Sequence, residues 1–476
     1  MTLLGAFFIP CAIVCLLWRP QYLLPLLIIS SVFEASSLWN GVTGDNEFGI
    51  LPFYFVQLCV LVRFVMLLFG KEKLLPPPKS TSRRIVWLLL AFWLWSFSSA
   101  FIMPRLFAGT LVMSPRLGMV RAPAPLEPTS SNLAQATYLT LNVCMILYAL
   151  ATVKTYPQME RLLKGFFWAV FIVVSIGLTQ FLFTAVGGSF PYDVINNNPG
   201  YSQGYEQDVG DIHRYNSTFV EPSTAGSFLS AVVGGLFASF LSGNRKRGTF
   251  LAILIVLFVL LLTTSTTGLA GVAMIACVLL VYFNPFANRT RVGRSVAGSW
   301  LYVCLALGLI GSCLLLFPKF YDAIMEMTVE KFDSFSFLAR LASDLYSLIV
   351  LADTKGVGAG LGSNRSSGLL ATLLSTVGVI GIILLGTIAY RIIKAFPWKS
   401  ATSSLQLTFW ALVTLVVGSA FAVPDINRPT LWVLLMLVIT HLQPQTRPPI
   451  QRAMSRVQQL VPRDQLGLNP ISPLQR

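Results

Sequence analysis

The sequence predicts an all-α integral membrane protein of about 12–13 transmembrane helices with large outer loops. Three observations carry this. Apolar residues make up 55% of 476 and charged residues 11%, where a soluble domain carries about a quarter charged. Mean hydropathy is +0.71. The apolar residues also come in long runs, not narrow stripes, matched to a hydrocarbon layer roughly 30 Å thick. A soluble enzyme and a disordered chain are both excluded.

The expected spans run near 3–18, 21–36, 51–69, 85–103, 132–153, 165–186, 224–242, 249–264, 267–283, 297–316, 368–389, 405–423 and 429–441. They make residues 1–441 one polytopic membrane domain. Residues 442–476, rich in Pro, Gln and Arg, read as a disordered cytoplasmic tail. Basic residues gather in alternate loops. Lys71, Lys73, Lys79, Arg83 and Arg84 follow the third span, and Lys154, Arg161 and Lys164 the fifth. Arg245 to Arg247, Arg289 to Arg294, and Arg391 to Lys399 follow the seventh, ninth and eleventh, and more lie in the tail. The positive-inside bias makes this side cytoplasmic, with the N-terminus outside and the C-terminus inside. The net charge of +15 therefore records topology, and no nucleic-acid partner is expected. No Lys or Arg precedes Arg19, so a cleaved signal peptide is not expected.

All seven cysteines fall inside expected spans, and only His213 and His441 are histidines. No ligand spacing suggests a metal or a cluster, and no cofactor is expected. Polar chemistry concentrates in three long outer segments, 104–131, 187–223 and 317–367. The third opens on a charged stretch, Lys319 to Asp333. It continues as an amphipathic helix near 336–352, with Phe337, Leu341, Leu345, Leu348 and Ala352 on one face. The turn Thr263 to Gly268 joins two spans tightly, and its hydroxyls suit the backbone groups freed at such a break.

Two runs could hold an anion. His213-Arg214-Tyr215-Asn216-Ser217-Thr218-Phe219-Val220-Glu221-Pro222-Ser223 lies where an outer loop re-enters the membrane. Arg214 is a permanent cation whose planar fork matches phosphate oxygens, and Pro222 suits the first turn of a helix. The competing reading is an interfacial Arg bonded to headgroups or loop carbonyls. Gly356 to Gly368 is glycine-rich and holds Gly360, Gly362, Ser363, Arg365 and Ser367. Amides, hydroxyls and Arg365 form an anion pocket on one reading, and a close-packed re-entry turn on the other. Arg340 lies on the amphipathic helix one turn before Asp344, which suggests an ordinary i,i+4 pair. His213 could shuttle a proton, and Glu221, Asp211 and Asp208 are possible bases. Arg63 lies within the third span and Glu34 near the outer end of the second.

At these residues the chain resembles the O-antigen ligase and Wzy-type polysaccharide polymerase superfamily. The family motif Arg-x-x-Gly-Thr-Phe-x-x-Pro reads Arg214 to Pro222 here, with Ser217 in place of Gly. The Leu-Thr-x-Ser-Arg-Gly turn reads Leu262 to Gly268, without its Arg. An Arg-bearing helix, a Gly-x-Gly-x-Gly turn and a Gly-x-x-Gly span recur as Arg340, Gly358 to Gly362, and Gly378 to Gly381. Ligases place a His where this chain has Ser367, and the Gly362-Ser363-Asn364-Arg365-Ser366-Ser367 run is closer to the exopolysaccharide polymerase branch.

The resemblance implies a GT-C-like architecture at the inner membrane. It implies a metal-independent glycosyltransferase acting on an undecaprenyl pyrophosphate-linked oligosaccharide in membrane lipid. A flippase and a chain-length regulator are the partners it implies. Arg214 and Arg365 would stabilise the pyrophosphate leaving group, with Glu221 as base. Arg340, His213, Gly360, Gly362, Ser363 and Ser367 would contact substrate. An O-antigen ligase and a lipid-linked glycan transporter are the alternatives.

Overall fold

The computed structural model describes the chain except residues 44–45, 71–80, 114–122, 202, 205–206, 210–211, 245, 284–334 and 444–476. Thirteen α-helices appear among the described residues. They are α1 (Leu3–Leu17), α2 (Leu23–Ser30), α3 (Pro52–Phe69), α4 (Thr81–Leu106), α5 (Ser130–Thr152), α6 (Tyr156–Ala185) and α7 (Pro222–Leu241). Then come α8 (Arg247–Leu262), α9 (Thr266–Tyr282), α10 (Phe335–Asp353), α11 (Leu369–Ala395), α12 (Ser403–Ala422) and α13 (Pro429–His441). Seven are long and apolar enough to cross a membrane, and shorter apolar helices accompany them. The all-α, multi-pass membrane class therefore holds. The expected span at 297–316, the charged stretch Lys319 to Asp333, Asp211 and most of the tail lie outside the described residues.

The bundle has an inner helix. α7 is buried along most of its length, while most of the other long spans keep one face outward. Small residues allow this. A Cβ on Gly235 would stand 2.4 Å from the Leu407 carbonyl oxygen of α12, and one on Gly226 would stand 2.4 Å from Ser265 Cβ. Without water to expel between helices in a membrane, such close backbone approach supplies the packing.

Two elements differ from expectation. The second span was expected over 21–36, but α2 ends at Ser30. The Ser30 and Ser31 hydroxyls donate to the carbonyls of Leu27 and Ile28 at 2.8 and 2.7 Å. The chain beyond them finds partners outside any helix: Ala35 N–H donates to Thr218 O, and Leu38 N–H to Ile50 O. The buried segment 31–38 is thus a turn, its polar groups answered by protein rather than by its own helix. The sixth span was expected from 165, but α6 begins at Tyr156, where a Thr155/Gln158 capping box nucleates it.

Among the described residues six short strands form three hairpins: β1–β2 (Trp39–Thr43, Asn46–Ile50), β3–β4 (Leu111–Met113, Pro123–Pro125) and β5–β6 (Asp208–Val209, Ile212–His213). All lie in segments between spans. α10 matches the expected amphipathic helix, yet it buries Ser343, Ser347 and Val350, while Leu341, Leu345 and Leu348 face outward. Its apolar face turns away from the protein, as the outer faces of the spans do.

Candidate active site

Four helices begin around one cavity. Its volume is about 580 Å³. Leu51 caps α3, Glu221 caps α7 and Arg428 caps α13, each followed by a proline at the first helical position. All three caps line the cavity, and so does Ser367, just before the Gly368 cap of α11. Proline at that position loses only an N–H that would lack a partner anyway. Each helix start carries a partial positive charge of about half an electron, which favours an anion.

Side chains add formal charge. Arg340, Arg365 and Arg428 line the cavity, with Glu34, Glu221 and Asp425. Arg428 is 3% exposed at its side chain and spans the cavity wall. Its Nε donates to Glu34 Oε1 at 3.3 Å, one Nη to Ser227 Oγ at 3.1 Å, and the other to the Thr224 carbonyl at 2.8 Å. Its guanidinium also stands over the Phe219 ring, 5.9 Å from the centroid. Glu34 sits beyond the end of α2, and burial pushes its carboxyl above the usual range while Arg428 opposes the shift. Arg340 and Arg365, by contrast, have no carboxylate within 4.0 Å among the described residues.

A second chamber of about 410 Å³ adjoins the first and shares Leu51, Tyr201, Arg365, Pro424 and Asp425 with it. Tyr138 lines it, stacked face to face on Tyr54 of the first chamber at 3.9 Å between centroids.

The expected site residues divide. Arg340, Arg365, Glu221 and Ser367 meet in the first chamber, although they come from three separate elements. Gly362 and Arg365 line the second. Arg214, His213, Gly360 and Ser363 line neither. Arg214 instead holds a turn: its Nε donates to Thr264 Oγ1 at 3.1 Å and one Nη to Gln207 Oε1 at 3.0 Å. Burial lowers its pKa; the charge of Glu221 opposes that, and the charge of Arg340 adds to it. His213 is engaged by Asp208 at 2.8 Å and the Tyr192 hydroxyl at 3.2 Å on the β5–β6 hairpin. Ser363 accepts from Asn132 at 2.8 Å.

The glycine turn packs rather than cradles. Gly358, Gly360 and Gly362 all have positive φ, and a Cβ on them would meet the carbonyls of Thr376, Ser99 and Ser131 at 2.5, 2.7 and 2.8 Å. α11 breaks opposite, at Gly378, whose φ is +66. The turn answers the carbonyls freed there: Ala359 N–H donates to Ser375 O at 2.7 Å and Gly360 N–H to Thr376 O at 2.9 Å. Trp95 Nε1 takes Val377 O at 2.8 Å. Asp344 does not pair with Arg340. Its Oδ1 accepts from the Ser366 hydroxyl and, at 3.0 Å each, from Ser367 N–H, Ser367 Oγ and Gly368 N–H. The competing i,i+4 pair loses because one carboxylate oxygen collects four donors at a buried turn.

Ser217 explains a departure from the motif. Its φ is +54, the left-handed region that glycine enters freely. Here its N–H donates to Gln180 Oε1 at 2.9 Å and its Oγ to the Val173 carbonyl at 2.7 Å, offsetting the strain.

Sequence reasoning missed Arg428 and Asp425, and treated Glu34 only as a residue near a span end. The Pro429 after Arg428 is the one local signal that marked a helix start there.

Fold and cavity together define a multi-pass membrane protein with a cleft lined by three arginines and three carboxylates where several helices begin. The family model for the WcaD colanic acid polymerases matches residues 85–323, just over half of the chain, and the protein belongs to that family. The matched stretch includes Arg214 and Glu221 but stops short of Arg340, Arg365 and Arg428. No curated protein and no solved structure matches the chain. Membership in a polymerase family makes this a glycosyltransferase-type enzyme that acts on lipid-linked oligosaccharide repeat units in membranes.

Proposed function

We propose that the protein polymerises oligosaccharide repeat units carried on undecaprenyl pyrophosphate, at the outer face of the inner membrane. A repeat unit of the colanic acid kind is the substrate class to which the family points. The observation that carries the reading is the convergence of four helix starts with Arg340 and Arg365 in one cavity. A pyrophosphate is the ligand such a cavity favours.

In the reaction, a sugar hydroxyl of one lipid-linked unit attacks the anomeric carbon of the other. The carbon–oxygen bond to pyrophosphate breaks, and the electron pair leaves with the lipid pyrophosphate. Arg340 and Arg365 stabilise the charge that grows there, in place before the reaction begins. Arg214 acts at one remove, by holding the Thr263–Thr264 turn beside α7. The hydroxyl proton passes to a carboxylate. Glu221 is exposed, and one of its oxygens accepts from Ser223 at 3.0 Å. Glu34 is buried against the cavity, and burial raises its pKa, which strengthens it as a proton acceptor once it is ionised. The second chamber, with Tyr138 and Tyr201, offers room for the glycan of the other substrate.

Purified protein in liposomes, given one lipid-linked repeat unit as sole substrate, is the test. A ladder of multiples with release of lipid pyrophosphate is expected. Transfer only when a different acceptor is supplied would replace this reading with a ligase, and no transfer with any acceptor would overturn it.

A further inference from the structure

We propose a second anion site at the opposite end of the bundle, built to hold the phosphate of an anionic phospholipid headgroup. A pocket of about 180 Å³ opens there between the start of α2, the second half of α3, the end of α5 and the start of α6. That is below the usual ~300–1,000 Å³ of ligand pockets and matches a headgroup rather than an oligosaccharide.

Its place follows from the helices. Tyr54 of α3 lines the active-site cavity, and Arg63 of the same helix lines this pocket, about 14 Å further along at 1.5 Å per residue. On α5, Gln135 lines the second chamber and Tyr148 this pocket, about 20 Å away. The pocket therefore lies toward the side where basic residues predominate, which the positive-inside bias makes cytoplasmic.

Arg63 is the demanding residue. It sits within a span, its Nε is buried, and that atom has no hydrogen-bond partner among the described residues. Its guanidinium makes no ion pair among the described residues, and Arg161 of α6, also lining the pocket, makes none either. Among the described residues no carboxylate lines the pocket. The nearest one in sequence, Glu160, pairs with Lys164 at 3.1 Å on the exposed side of α6. Gln158 cannot serve, because its Oε1 already accepts from the amides of Lys154 and Thr155 at 2.8 and 2.9 Å. An arginine held in a membrane without a protein acceptor needs an anion from elsewhere. Basic pockets between spans on the cytoplasmic side take the headgroups of anionic lipids. The phosphate oxygens would lie between Arg63 and Arg161, with the acyl chains running along α3 and α6.

Native mass spectrometry of the full-length protein, released from nanodiscs of phosphatidylglycerol and phosphatidylethanolamine, tests this. Retention of phosphatidylglycerol over phosphatidylethanolamine is expected. Each arginine near the membrane surface contributes roughly a fivefold preference, so Arg63→Gln with Arg161→Gln should lower it by more than tenfold. Should the double variant fail to fold, Arg161→Gln alone, near the start of α6, should still cost about fivefold, and Arg63→Lys should cost less than Arg63→Gln. A titration of inorganic phosphate in neutral detergent separates the two sources of the anion. Phosphate binding that matches the lipid and is lost in the same variants supports the site with a soluble ligand. No preference in the wild type, or a preference that the variants leave unchanged, overturns the proposal.

Discussion

Arg428 and Glu34 stand 394 positions apart and make one buried ion pair at the cavity wall. Removing one partner of such a pair strands a charge in a poor solvent, at a cost of about 3–5 kcal/mol. Both Arg428→Ala and Glu34→Gln are expected to lower thermal stability in detergent, and Glu34→Gln the more, because Glu34 can take a proton when its partner is lost whereas Arg428 stays charged. For activity the two differ in kind. If Glu34 takes the proton, it must be ionised, and its pKa is raised by burial. Activity should then rise with pH through a limb lying above the ordinary carboxylate value of about 4.3. Glu34→Gln should abolish that limb together with most of the turnover; a limb that persists unchanged in this variant would remove Glu34 from the mechanism. Arg365→Ala and Arg340→Ala should each cost on the order of 100-fold in ladder formation at equal protein level, with stability little changed, since neither holds an ion pair among the described residues. Ser217→Gly exchanges a strained φ for a lost Val173 hydrogen bond, so it should stay within about 1 kcal/mol of wild type. Ser217→Val keeps the strain and loses the bond, and a chemical denaturation series should place it clearly lower.

At the scale of elements, the glycine turn and the break in α11 form one device. The turn places its amides on carbonyls that the break leaves open, and the break needs Gly378 because a Cβ there would stand 2.2 Å from Val357 O. Asp344 then fastens the end of the turn, which carries Arg365 and Ser367 to the cavity. Gly378→Ala and Gly360→Ala should therefore fail at the level of folded protein recovered after extraction. Asp344→Ala should fold and lose activity, because it leaves the Ser366 to Gly368 donors unanswered and lets Arg365 drift. Normal recovery of Gly378→Ala would show that the two halves of the device can separate. The glycines were legible from the sequence, as were their two readings. The choice between them was not, since it depended on carbonyls of α4, α5 and α11 that lie far away in the chain.

At the scale of the molecule, sidedness is the open quantity with the sharpest test. A cysteine placed at Ser400, in the loop after α11, should react only with reagents that reach the cytoplasm, and one at Gln203 only with those outside. The reverse pattern would invert the proposed orientation and with it the face at which the cavity opens. The fold itself was largely readable. Every expected span among the described residues contains a helix, because each apolar run carries its own reason to sit in lipid. The exceptions have causes of another kind. α2 stops early because the chain beyond Ser31 meets partners from 218 and 50, and the hairpins between spans carry no apolar run long enough to cross a membrane.

The sequence by itself determined the class, the number and order of most helices and the polymerase resemblance, and it placed Arg340 and Arg365 only among several candidates. These are properties of single segments, whose burial free energy adds residue by residue along the chain. The tertiary structure alone decided that Arg214 holds a turn, that the glycines pack, that Asp344 serves the turn instead of Arg340, and that Glu34 meets Arg428. Each of those outcomes is a competition for one donor or acceptor among groups distant in sequence. A buried polar group takes whichever partner the packed helices bring within about 3 Å, and no local pattern records which one that will be.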